Sequence, residues 1–346
     1  MTLRVITYRL GVIPLLLLLC ILAACSQQDL DQEEQGMVNL KVLASPGTKA
    51  GEGGTATATL PAKETDIFDL SIFIFNSNGD VIGFTSQDFS DGKPTAVVVK
   101  TRKATGCSVY AVANAKTLNK DTSPFAGVST LSEFQQKYIT FKDMASLESA
   151  PCLLMVGYLK GFDTTSSASR ISLQRLASRL DFTITVKDDK DTGLPIVVDS
   201  YQLCHAPLSA FYAPADMSAI TLPQGAEYVD YTLQNTNTKA NPYTAYVYAN
   251  PASTAQDATY LLIKAHSQTS PTDTRKIWQS DFKVYLNGIT GLADYKLLPN
   301  YHYSVNITVQ GSSQAQNGVI ASYTAYPYMA GGSIASWTPE KIPTDM

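Results

Sequence analysis

The stretch Ile67-Phe-Asp-Leu-Ser-Ile-Phe-Ile-Phe75 decides the fold class. Successive residues of a strand point to opposite faces. One face then carries Phe68, Leu70, Ile72 and Ile74, apolar throughout, and the other sets Ile67, Phe73 and Phe75 beside Asp69 and Ser71. Apolar residues on both faces predict a strand in the middle of a sheet, covered on each side. Asn76-Ser-Asn-Gly-Asp80 comes next, and its Asn78-Gly79 pair suits the positive φ of a tight hairpin turn. Residues 81–84 therefore return antiparallel.

Working outward, residues 96–100, 107–113 and 153–156 are further strand candidates. Upstream, Met37-Val-Asn-Leu-Lys-Val-Leu-Ala44 places Val38, Leu40, Val42 and Ala44 on one face at period two, an amphipathic strand. Residues 45–61 are rich in Gly, Thr and Ala, and predict an exposed, strand-poor loop where a protease could reach the backbone. A single helix signal stands out: Thr130 and Glu133 form a capping box, and Leu131, Phe134, Tyr138 and Phe141 recur at helical spacing. From Arg179 the strands resume, with Leu180, Phe182, Ile184 and Val186 alternating against Asp181, Thr183 and Thr185. Residues 196–203, 245–248, 259–265, 282–286, 301–309 and 319–326 continue the series, with turns at Asn287-Gly288 and Asn317-Gly318. Strands joined by turns without intervening helices predict an all-β chain of two antiparallel β-sandwich domains, 37–172 and 173–346, with one minor helix.

The N-terminus reads as an address. Arg4 and Arg9 precede an apolar run from Gly11 to Ala24, too short for a comfortable membrane span. The junction Leu22-Ala-Ala-Cys25 resembles a bacterial lipobox, which makes residues 1–24 a signal peptide and Cys25 the acylated first residue of the exported chain. Acyl chains on Cys25 would hold that chain to a membrane. Residues 25–36, polar and acidic, form a lipidated tether.

Composition narrows the function. The 346 residues carry 26 Lys+Arg against 30 Asp+Glu, a net charge of −4, so no basic field exists for nucleic acid. Charged residues make up 16%, below the roughly 25% of an average soluble protein, which argues against disorder. Three His and five scattered Cys leave little material for a metal centre. Cys107, Cys152 and Cys204, an odd number at wide spacing, form no disulfide framework and read as small buried residues. No cofactor is implied.

The order of motifs resembles the fimbrillin family, the lipoprotein pilins of Bacteroidales fimbriae. A lipobox is followed by a first strand, Thr48-Lys49-Ala50, and Glu64-Thr-Asp-Ile-Phe-Asp-Leu-Ser-Ile-Phe-Ile-Phe-Asn-Ser-Asn-Gly79. Val109-Tyr-Ala-Val-Ala-Asn-Ala115, Leu154-Met-Val-Gly157 and Leu176-Ala-Ser-Arg-Leu-Asp181 come next, then Tyr246-Val-Tyr-Ala-Asn250 and Asn300-Tyr-His-Tyr-Ser-Val305. The resemblance implies two transthyretin-like β-sandwich domains and a non-enzymatic role as a fimbrial subunit at the outer membrane and cell surface. It implies a lipid at Cys25, a protease cut between Lys49 and Ala50, loss of the strand at residues 37–44, and polymerisation by a strand donated from a neighbouring subunit. Partners would be other fimbrial subunits, the outer membrane through the lipid, the processing protease, and host or bacterial surface ligands. Two departures stand out. Arginine-specific processing is known in the family, yet the first Arg after Cys25 is Arg102, inside the domain. The C-terminal nine residues hold two prolines and make a poor strand, so the donor is assigned upstream, with Val319, Ala321, Tyr323 and Ala325 on its inserting face. An uncleaved, lipid-anchored subunit at the filament base and a monomeric glycan-binding lipoprotein are the alternatives.

Sharper chemical readings are weaker. Cys204-His205 would need spatial convergence that neighbouring strand residues lack, and reads as a buried Cys beside a surface His. His266 and His302 stand alone, without zinc-ligand spacing. Asp188-Asp-Lys-Asp-Thr-Gly193 departs from a calcium loop in the place of its Gly and in lacking the closing Glu, and reads as a solvated turn.

Overall fold

The computed structural model describes residues 37–46, 48–49, 60–121, 123–165, 168–213, 221–235, 243–270, 272–286 and 295–329. The first ten strands are β1 (Met37–Pro46), β2 (Thr48–Lys49), β3 (Asp69–Phe75), β4 (Val81–Asp88), β5 (Val97–Arg102), β6 (Cys107–Ala113), β7 (Tyr138–Thr140), β8 (Met155–Phe162), β9 (Ala168–Arg175) and β10 (Ala177–Val186). The others are β11 (Ile196–Cys204), β12 (Ala206–Pro207), β13 (Ser209–Phe211), β14 (Tyr228–Val229), β15 (Gln234–Asn235), β16 (Tyr243–Tyr248), β17 (Tyr260–Gln268), β18 (Lys276–Tyr285), β19 (Tyr301–Val309) and β20 (Val319–Met329). Among the described residues the helices are single turns at Ala62–Thr65, Ala115–Asn119, Leu131–Gln135 and Met144–Glu148. The chain is all-β, as its sequence predicts.

Seven strands close a barrel in the order β1-β5-β4-β3-β6-β8-β9. β3 lies centrally, paired antiparallel to β4 and β6, and every one of its residues is buried. Its two faces serve two cores. Leu70, Ile72 and Ile74 fill the barrel interior with Val97, Val99 and Val109. Phe73 and Phe75 point outward into a larger core that continues under the helices into the second half of the chain. There, a five-stranded sheet (β16-β10-β19-β20-β2) faces a four-stranded sheet (β15-β11-β17-β18). Most pairs are antiparallel, but β1–β9 and β10–β19 are parallel. Strand β9 runs through Ser172, and the change from barrel to sandwich comes at Leu176.

The helix at Leu131–Gln135 has the expected capping box, with Glu133 N–H donating to Thr130 Oγ1 (3.2 Å) and Thr130 N–H to Glu133 Oε2 (3.1 Å). It ends earlier than its spacing predicts. Tyr138 belongs to β7, which pairs with β13 far along the chain, so tertiary pairing overrides the helical period. The turn at Asp188–Gly193 is solvent-exposed as expected except at one residue. Asp189 is buried, and its carboxylate accepts from Asp191 N–H (2.9 Å), Thr192 N–H (3.2 Å) and Trp278 Nε1–H (2.7 Å). It is a structural pin rather than a solvated side chain.

Candidate strand-exchange site

β1 is the strand that shuts the barrel. Residues Met37 to Val42 pair antiparallel with β5, from Met37↔Arg102 to Val42↔Val97. Residues Lys41 to Pro46 pair parallel with β9, from Lys41↔Ala168 to Pro46↔Leu173. The ladders of these neighbours away from β1 are shorter. The register recorded between β4 and β5 is the single pair Gly83↔Thr101, and that between β8 and β9 is Met155↔Arg175 and Val156↔Gln174. The wall facing β1 is apolar at alternate positions: Val97, Val99, Ile171 and Leu173 are buried, while Val98, Lys100 and Arg170 are exposed. Period-two pockets of this kind read alternate side chains of an inserted strand.

Val38, Leu40, Val42 and Ala44 lie opposite Thr101, Val99, Val97 and Ile171 in the ladders. Lys49 is in β2, where Thr48↔Met329 and Lys49↔Tyr328 pair with β20, so its backbone lies in a ladder rather than in the expected open loop. An edge strand such as β20 recruits a segment passing alongside it. Cys25 and Ala50 lie outside the described residues. Val319, Ala321, Tyr323 and Ala325 pack on the large core, and β20 pairs with β19 from Tyr301↔Pro327 to Val309↔Val319. Tyr323 Oη–H donates to the Tyr285 carbonyl at 2.7 Å. β9 is not among the strands expected from the sequence. Its signal was Ile171 and Leu173 alternating with Arg170, Ser172 and Gln174, and β8 admits it closely because a Cβ at Gly157 would strike the Ser172 carbonyl.

The motifs in the second half converge on a clamp beside this barrel. Glu64, fully buried, accepts from Arg179 Nη1–H (3.2 Å) and Tyr246 Oη–H (2.8 Å). Arg179 Nε–H also reaches both carboxylate oxygens of Asp181 (3.1 Å each), which accepts from Thr244 Oγ1–H (2.6 Å) and lies 2.7 Å from His302 Nε2. The clamp ties the first helix to β10, β16 and β19. Burial alone would raise the Asp181 pKa, but hydrogen bonds from His302, Thr244 and Arg179 outweigh it and hold the carboxyl far below the usual range. A depressed folded pKa contributes stability that is complete above the unfolded value, near 3.9, and is lost as pH falls toward the folded one. Acid titration is therefore expected to destabilise the chain below about pH 4, with Asp181→Asn flattening that limb; an unchanged profile in the variant would show that the clamp does not carry it.

The described cysteines are poorly placed to react. Cys107, Cys152 and Cys204 are free and buried, and burial pushes Cys152 up to about 12 and Cys204 to about 11. His205 has φ 60° and stacks its ring on Tyr228 at 4.0 Å between centroids. His266 Nδ1 lies 3.0 Å from Asp199. Among the described residues no group of three or more His, Cys, Asp or Glu could hold a metal ion, and no helix is long and apolar enough to cross a membrane.

The fold is shared with solved fimbrial proteins. The chain superposes on fimbrilin FimA of Porphyromonas gingivalis (TM-score 0.59, 12% identity, 85% of this chain and 99% of that one). It also superposes on the tip fimbrial protein Mfa3 of the same organism (0.53, 14%, 84% and 100%) and on a fimbrial assembly protein of Parabacteroides distasonis (0.52, 16%, 83% and 95%). No match was found among curated proteins. Residues 37–171 match the family model described as "Major fimbrial subunit protein (FimA)", and through this segment the resemblance to the fimbrillins is borne out.

Proposed function

We propose that the chain is a structural, non-catalytic subunit of a cell-surface fimbria that polymerises by strand exchange and supports adhesion. In this reading residues 1–24 direct export, Cys25 carries the lipid to the outer membrane, and cleavage after Lys49 frees β1. The observation that carries it is that β5 and β9 make longer ladders with β1 than with β4 and β8. Loss of β1 would expose two unpaired edges and the side chains of Val97, Val99, Ile171 and Leu173. At roughly 1.5–3 kcal/mol per buried aliphatic side chain, refilling that wall is worth on the order of 10 kcal/mol. A strand from the next subunit supplies it and makes a head-to-tail contact that does not close on itself. β20, at the margin of its sheet and covered only by β2 at its far end, is assigned as donor.

In vitro, limited digestion with a lysine-specific protease is expected to cut at Lys49 and turn a monomer into filaments visible by electron microscopy. Lys49→Gln should stay intact at that bond and monomeric. Filaments from the uncut variant would overturn the cleavage step.

One observation favours the anchor reading as well. Lys49 pairs with Tyr328 in a ladder, which holds the backbone leading into the expected cut in a strand, and a strand is cut less readily than an open loop.

A further inference from the structure

On the flank of the second sandwich opposite β20, a cleft of about 430 Å³ opens between the two halves of the chain. Small-molecule sites have volumes of roughly 300–1,000 Å³ and favour domain junctions. Its working side chains come from four separate pieces of chain: Lys63, Glu148, Thr232 with Gln234, and Thr244 with Tyr246.

These groups are held in place before any ligand arrives. The Glu148 carboxylate accepts from Thr232 N–H (3.1 Å) and Oγ1–H (2.7 Å). Lys63 Nζ donates to the Glu148 carbonyl (3.1 Å) and sits 5.2 Å above the centre of the Tyr246 ring. Gln234 Nε2–H donates to the Thr232 carbonyl (2.7 Å), while its Oε1 has no hydrogen-bond partner among the described residues, although Gln234 is only 4% exposed. A buried acceptor without a partner is costly and marks a place where a donor belongs.

The chemistry selects among ligands. One ammonium and one carboxylate balance each other, and Tyr231, Tyr243 and Tyr246 are kept neutral by burial, which raises their pKa values. An anion or a cation gains no net field here. An added peptide strand is also disfavoured. β16 is an edge strand, but the Tyr246 carbonyl already accepts from Tyr231 Oη–H (2.5 Å), which interrupts the ladder a strand would need. What remains is a neutral molecule read by side chains, dense in hydroxyls that can donate and accept in alternation, with an apolar ring face to lie against tyrosine. We propose that this cleft binds a neutral saccharide of one or two pyranose units, through Glu148, Thr232, Gln234 and Thr244. The site is independent of strand exchange, and a subunit could carry it into a filament, where many weak sites act together.

The test uses the full exported chain, kept monomeric and uncut. It is titrated by calorimetry with glucose, galactose, mannose, N-acetylglucosamine, lactose and maltose, and hydrogen exchange is followed with and without sugar. At least one sugar is expected to bind in the micromolar-to-millimolar range and to slow exchange in residues 231–235 and 243–246. Glu148→Gln and Gln234→Leu, each checked for an unchanged melting curve, should weaken that binding about tenfold or more. Silence from the whole panel overturns the proposal, as does binding that leaves those segments unprotected or that both folded variants retain in full. Filament formation is scored separately, so failure here leaves strand exchange untouched, and the reverse.

Discussion

A chain carrying Asn39→Cys and Lys100→Cys is expected to stay monomeric when oxidised, even after cleavage at Lys49, and to polymerise once reductant is added. The two positions face each other across the β1–β5 ladder, and directly opposed antiparallel residues have Cα separations of about 4.5–5.5 Å, within the span of a disulfide. The native thiols compete poorly for the new bond: Cys107, Cys152 and Cys204 are buried, and burial pushes Cys152 up to about 12. With β1 tethered to β5, the cut segment cannot leave, the wall of Val97, Val99, Ile171 and Leu173 stays covered, and no incoming strand has an edge to pair with. The effect is close to all-or-none because exchange requires the whole register to be vacated. Filaments from the verified oxidised species would mean that subunits join through some other surface.

The second large effect is on stability. Phe134→Ala is expected to cost about 3–5 kcal/mol, the range for truncating a fully buried aromatic. The ring has no exposed surface and lies 4.7 Å from Phe73, 5.4 Å from Phe75, 5.2 Å from Tyr110 and 5.7 Å from Phe125, measured between centroids. It plugs the outer face of β3 and β6 where the barrel meets the larger core, so the cavity left behind has rigid walls on several sides. Urea denaturation of the intact chain measures the loss. Thr130→Ala, which removes only the cap of the same helix, should cost about 1 kcal/mol and serves as the local control. A Phe134→Ala loss no larger than the cap's would show that the ring is not a keystone of the core.

The contrast between these residues shows what a sequence makes visible. Phe73 and Leu70 announced two faces because strand periodicity is local, and Thr130 with Glu133 announced a helix start because a capping box spans four residues. The parallel seam between β1 and β9 left no such trace. It joins segments more than a hundred residues apart, and its register depends on which barrel neighbour each half of β1 meets. Tyr138 fits the helical period yet pairs in a strand, since β13 offers it a ladder. The clamp was invisible as a unit for the same reason: Glu64 meets Arg179 and Tyr246 across sequence separations of 115 and 182 residues. The motifs that carried the family resemblance mark such long-range structural joints. Asn114, for example, adopts φ 70°, accepts from Phe68 N–H at 2.8 Å and donates to the Asp66 and Leu153 carbonyls at 2.9 and 2.8 Å. The first strand itself was readable as an amphipathic segment. That it bridges two strands whose other ladders are short became visible only from the β4–β5 and β8–β9 registers.

The most direct measurement is the N-terminal residue and intact mass of the protein sheared from whole cells as filaments. The account predicts a chain beginning at Ala50, with residues 25–49 and their lipid absent from the polymerised subunits. Acylated Cys25 and an intact β1 throughout the filament would contradict it.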